Sequence, residues 1–168
     1  MKRYGVIIIG GGHAGCEAAH ASARLGVSTL LLTMKIETIG QMSCNPAIGG
    51  IGKSHLAREV DALDGLMCKI ADNSALQRRT LNSRKGPAVR ATRIQTCRNA
   101  YKRNMQKAIQ ETQNLDVLQS TAAKLIVKNS RIEGVVTEQG EKIYGFCVVM
   151  TVGTFLGCLL YTSDAADE

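Results

Sequence analysis

The sequence contains no tryptophan, only two phenylalanines and two prolines in 168 residues, and no apolar run long enough to span a bilayer. Its apolar runs are strand-sized, and the first, Val6 to Ile9, is too near the start to serve as a signal segment. Without a membrane span or export signal, the chain is expected to be cytoplasmic, with its six cysteines reduced. The cysteines, at positions 16, 44, 68, 97, 147 and 158, form no C-x-x-C pair, so no metal site is expected. With 17 glycines, a 45% hydrophobic share and few aromatics, the composition points to an α/β class. The length allows one well-buried domain.

Acidic residues are missing from one stretch in particular. Between Arg78 and Lys107 there are ten Lys or Arg and no Asp or Glu, leaving eleven bases against fourteen acids elsewhere. The whole excess behind the formal charge of +7 therefore lies in this segment. Such a stripe attracts polyanions by counterion release, with little sequence specificity. Charge alone leaves open a solvated helix face with no partner.

Tyr4 to Ile9 reads as a buried parallel strand, His13 to Leu25 as an Ala-rich helix stopped by Gly26, and Val27 to Thr33 as a second buried strand. This β-α-β unit fits half of a doubly wound sheet. A Gly/Asn/Pro loop is expected from Ile39 to Gly50. Leu56, Val60, Leu63 and Met67 then recur on one helical face. A further helix is expected over Thr92 to Thr112. Strands at 117–118, 125–127, 132–137 and 143–151 follow, joined into a meander by turns at Asn129-Ser130 and Gln139-Gly140. The final stretch, Cys158 to Glu168, continues no pattern and reads as a non-native read-through tail, placing the native domain at 1–157.

Gly10-Gly11-Gly12-His13-Ala14-Gly15 satisfies G-x-G-x-x-G directly after a strand and at the opening of a helix. Gly10 permits the tight turn, Gly12 lets backbone approach a pyrophosphate, and Gly15 lets helix and strand pack closely. The helix start then offers free N–H groups and a positive dipole end to the diphosphate. The acid expected after the second strand is missing: the strand ends Leu32-Thr33-Met34-Lys35, leaving Thr33 as a weaker ribose contact. That loss weakens an NAD reading more than an FAD one. Ala47 to Ser54 imitates a P-loop, but its predecessor, Met42 to Pro46, reads as a polar loop rather than a buried strand.

Cys44 is the candidate catalytic thiol. It lies in a loop near a proposed helix start, where the dipole would raise its thiolate fraction. The bland alternative is a buried filler, which suits Cys16, Cys68 and Cys147. His13 reads as a spacer in the glycine turn.

These segments together resemble one family. GGGHAGCEAA, LLLT, IGQMSCNPAIGGIGKSHLAREVDALDG, LNSRKGPAVRATR and TVGTFLG are similar, in that order, to the tRNA-modifying flavoproteins called MnmG or GidA. The resemblance runs from about Tyr4 to Gly157. It implies an incomplete FAD-binding, Rossmann-like domain of the glutathione-reductase type, with a parallel sheet and a β-meander. It implies an FAD phosphate loop at Gly10 to Gly15, a backbone contact to the adenine side at Ala122, and a strand end closing over FAD at Gly153 and Thr154. Cys44 matches the family's catalytically important cysteine. Lys85, Arg90 and Arg93 fall in a segment expected to contact tRNA. The family adds an aminomethyl or carboxymethylaminomethyl group at C5 of the wobble uridine, using FAD, NADH and a methylene-folate. It works as a homodimer with an MnmE-type GTPase. Family members are several times longer, so this chain is expected to be an inactive fragment. The competing reading is an FAD- or NAD-dependent oxidoreductase of small molecules, which leaves the acid-free stripe and the CNPAIGG block unused.

Overall fold

The computed structural model describes residues 2–153. In chain order the elements are β1 (Arg3–Ile9), α1 (His13–Arg24), β2 (Thr29–Thr33), β3 (Ala47–Gly49), α2 (Lys53–Ala62), α3 (Leu66–Asn73) and β4 (Ala75–Leu81). There follow β5 (Ala91–Thr96), α4 (Arg98–Glu111), β6 (Leu115–Gln119), β7 (Ala122–Lys128), β8 (Arg131–Thr137) and β9 (Lys142–Met150). The chain forms two compact units: residues up to Ile39 together with those from Ile109 onward, and the stretch Gly40–Ala108 between them.

The first unit is a six-stranded sheet of order β6-β2-β1-β9-β8-β7. The first four strands in that order are mutually parallel, and β7 and β8 complete an antiparallel meander. All five residues of β2 are buried, as a central parallel strand covered on both faces requires. Ile7, Ile9, Leu30 and Leu32 form one core with Val135 and Ile143 of the meander. Each such side chain, fully buried, contributes about 1.5–3 kcal/mol. The buried positions of α1 are Gly15, Cys16, Ala19 and Ala23, all small, which lets the helix lie close to the strands. The meander turns fall where expected. Asn129 and Ser130 both have positive φ (50° and 58°), the geometry of a type I′ hairpin turn, and Gly140 has φ 83°.

The second unit is a three-stranded antiparallel sheet, β3-β5-β4, with α2 and α3. It corrects three sequence expectations. The loop from Ile39 to Gly50 contains β3, paired antiparallel to β5. The face running from Leu56 to Met67 is not one helix: α2 stops at Ala62, Asp64 takes φ 67°, and α3 restarts at Leu66. Leu56 and Leu63 are 66% and 74% exposed, so this stripe is not the buried one. The helix expected from Thr92 begins only at Arg98, because Ala91–Thr96 is the central strand of this sheet. At the start of α4, Tyr101 and Met105 are fully buried. A Cβ on Gly40 (φ 66°) would lie 2.4 Å from Met105 Cγ, which explains a glycine there.

Candidate functional site

The glycine turn lies at the carboxyl ends of the parallel strands, where doubly wound sheets bind ligands. Gly10 takes φ 110° and its N–H donates to the Leu32 carbonyl at 2.8 Å. A Cβ on Gly15 would come within 1.8 Å of the Gly10 carbonyl oxygen, so α1 packs on the turn only because residue 15 lacks a side chain. Gly12 differs. A Cβ built there meets nothing within 4 Å, and its φ of −72° is ordinary. The fold therefore makes no demand for glycine at position 12, and the space beside it is open to a ligand.

Gly12 is also the residue that precedes α1. No side chain caps that helix and no acid occupies its first turn. The positive end of a twelve-residue helix thus faces the open glycine, the arrangement that holds a diphosphate. His13 opens the helix, and burial pushes its imidazole below the usual histidine value, against a smaller opposing pull from Glu17. Thr33 is buried, and its hydroxyl lies 2.7 Å from the position a Cβ on Gly11 would take. Its carbonyl accepts the N–H of Ser120 at 2.9 Å.

Sequence reading singled out Thr151 only as part of the strand-end segment, and the structure gives it a distinct job. Its N–H donates to the Ile9 carbonyl, and its hydroxyl lies 2.9 Å from that oxygen and 3.2 Å from the Gly10 carbonyl oxygen. Thr151 thereby ties the end of β9 to the glycine turn. The available signal was a hydroxyl at the end of an otherwise mainly apolar strand. Gly153 is exposed with φ 59°, Ala122 begins β7 packed against the core, and Thr154 lies outside the described residues. A cavity of about 1000 Å³ sits at the opposite end of the same sheet, lined by Lys2, Tyr4, Asp116 and Ile143 among others. It opens at the amino ends of β1, β6 and β9, away from the glycine turn.

The other expected site residues belong to the second unit. Cys44 is exposed; its carbonyl accepts a hydrogen bond from Arg98 Nη2 at 2.6 Å, and Ser43 Oγ lies 3.8 Å from its sulfur. The next helix does not follow it directly, since β3 and the turn Gly50–Gly52 come first. Cys147, expected as buried filler, is exposed. The P-loop imitation is preceded by a loop over Met42 to Pro46, as expected, and itself opens with β3, a three-residue strand paired antiparallel to β5. Ser54, where a P-loop would hold magnesium, has its hydroxyl bound to the Thr92 carbonyl and the Gly50 N–H. The basic stripe divides between the β4–β5 hairpin, with Lys85 and Arg90 in its exposed loop and Arg93 on β5, and α4. Among the described residues no three His, Cys, Asp or Glu converge as a metal site, and no helix is long and apolar enough to cross a membrane.

A mainly parallel sheet, a β-α-β start and an open, uncapped glycine turn define a protein of the Rossmann-like fold class. Within that class, the profile described as Glucose inhibited division protein A matches residues 5–167, and the chain belongs to that family. GidA from Aquifex aeolicus, in its form I crystal, is 45% identical with a TM-score of 0.89, over 92% of this chain and 26% of that one. The GidA-related protein of Thermus thermophilus shares the fold at 20% identity and a TM-score of 0.59, over 92% of this chain and 55% of that one. PqsL, a probable FAD-dependent monooxygenase from Pseudomonas aeruginosa, does so at 15% and 0.63, over 88% and 42%. The chain thus spans about a quarter of the length of the Aquifex protein.

Proposed function

We propose that this chain supplies the FAD-binding portion of a flavin-dependent tRNA-modifying enzyme of the cytoplasm. The observation that carries the reading is membership of the family over residues 5–167, joined to a glycine turn whose central position is left open. Gly10 to Gly15 would hold the FAD diphosphate, with Thr33 beside the ribose, Ala122 towards the adenine, and Gly153 and Thr154 closing the strand end. FAD supplies redox chemistry when bound there. The parent enzyme adds a (carboxymethyl)aminomethyl group at C5 of the wobble uridine, drawing on NADH and a methylene-folate. It acts as a homodimer with an MnmE-type GTPase.

In this reading Cys44 is the nucleophile. Uracil C5 is a poor nucleophile until something adds at C6. A thiolate bonding to C6 moves the ring π electrons onto C5, which attacks the methylene carbon of the folate in its iminium form, the C=N π pair passing to the folate nitrogen. Loss of the C5 proton and expulsion of the thiolate restore the ring. Exposure of Cys44 suits attack on a large substrate. Cys44→Ser replaces the thiol with a hydroxyl, which does not ionise near neutrality and is a far weaker nucleophile than a thiolate. In the full-length enzyme we expect unchanged flavin content and tRNA affinity, with modification lowered by about two orders of magnitude or more. All three are measured on one preparation. Retained turnover with intact FAD returns Cys44 to a structural role.

A further inference from the structure

The β4–β5 hairpin sets two arginines directly opposite one another. Arg79 and Arg93 are register partners, so their side chains leave the same face of the sheet. Cβ atoms so placed are about 4.5–5.5 Å apart, and like charges in that position destabilise a sheet.

The face can be identified. Thr92 takes a hydrogen bond from Arg58 of α2, and Arg78 pairs with Asp72 of α3. Positions 78, 92 and 94 therefore face the two helices. By alternation, 77, 79, 93 and 95 face the other way. There Gln77, Arg79 and Gln95 are exposed and Arg93 is half-buried. The residue opposite Arg93 on its other side is Gly49, which adds no side chain to the face.

Of the other six arginines of this unit, four have side-chain partners: Arg58 the Thr92 hydroxyl, Arg78 the Asp72 carboxylate, Arg90 the Lys85 carbonyl and Arg98 the Cys44 carbonyl; Arg84, in the hairpin loop, and Arg103, on α4, are not paired across the sheet. Among the described residues Arg79 and Arg93 have no side-chain hydrogen bond or ion pair. No acid lies on β4, β5 or the loop between them, and, among the described residues, the one acid paired with this hairpin, Asp72 of α3, is taken by Arg78. Two cations rooted side by side, with Gln77, Arg79 and Gln95 of that face exposed and no counter-ion on either guanidinium, leave a place for an anion from outside.

We propose that Arg79 and Arg93 together hold one phosphodiester of the tRNA backbone, with the Gln77–Gln95 amide pair next along the same face. The inference rests on the tRNA reading above and makes it specific. Paired guanidiniums give a phosphate several charge-assisted hydrogen bonds in fixed geometry, which lysines on a loop do not. The phosphate also cancels the cross-strand repulsion. Lys85 and Arg90 then add general attraction without fixing register.

The test compares the full-length chain with Arg79→Gln, Arg93→Gln, the double variant and a Lys85→Gln/Arg90→Gln control. tRNA affinity is measured across a salt series, and the thermal midpoint is measured without tRNA. Each single variant should weaken binding about tenfold and lower the salt slope by about one. The double variant should lose little more than either single one, because one phosphate is shared. Without tRNA neither single variant should melt lower than wild type, since a repulsion has been relieved. Unchanged affinity and slope in Arg79→Gln, with loss in the control, overturns the pair while keeping the tRNA reading. A lower midpoint in either single variant makes the arginines structural and also overturns it. A folded wild-type chain that binds no tRNA at low salt overturns the tRNA reading itself.

Discussion

His13 shows how a residue that looks like a spacer acquires a measurable property. Burial at the start of α1 penalises its charged form, so its folded pKa lies below the unfolded value, which is about 6.5. The unfolded chain then takes up a proton first as pH falls. Stability from this group is complete above about pH 6.5 and is lost as pH drops through the folded pKa. His13→Gln, neutral throughout, should flatten the fall in thermal midpoint between pH 7 and 5. Parallel curves for the two proteins would contradict this. The neighbouring glycines were legible from sequence because each has its own geometric reason. Gly10 needs positive φ, and Gly15 needs to lack a Cβ. Thr151 was not legible, because its two short contacts join positions more than a hundred residues apart.

Among the elements, β1-α1-β2 was readable because apolar strands, small helix residues and glycine stops all agree. The second unit misled in two ways. An apolar period from Leu56 to Met67 runs straight through the Asp64-Gly65 turn, whose dipeptide was the better signal. β4 and β5 carry arginines at positions that would show strand alternation, so charge hid the pattern. The meander was legible through its turns, and one of them can be improved. Ser130 is exposed with φ 58°, a conformation that costs a non-glycine residue about 1–2 kcal/mol. Glycine there relieves that strain but adds unfolded-state entropy. Ser130→Gly should therefore stabilise the chain by about 0.5–1 kcal/mol, read as a higher urea midpoint with unchanged slope. A midpoint that stays put or falls would show that the type I′ turn is not what joins β7 to β8.

At the scale of the whole molecule, the chain places an open, uncapped glycine turn in one unit and a concentrated positive charge and an exposed thiol in the other. All three lie within the residues the family profile matches, and the chain spans about a quarter of the length of the Aquifex relative. The central claim is that the glycine turn binds the FAD diphosphate, and Gly12 isolates it. With an ordinary φ and nothing within 4 Å of a Cβ, position 12 accepts a side chain without disturbing the fold. Glu at this position would put bulk and negative charge where the diphosphate belongs. The deciding measurement is an FAD titration of the full-length chain and of Gly12→Glu, each with its flavin-free thermal midpoint. The account predicts equal midpoints, FAD binding by the wild type, and loss of that binding in the variant. Wild-type FAD affinity in a folded Gly12→Glu protein would contradict it.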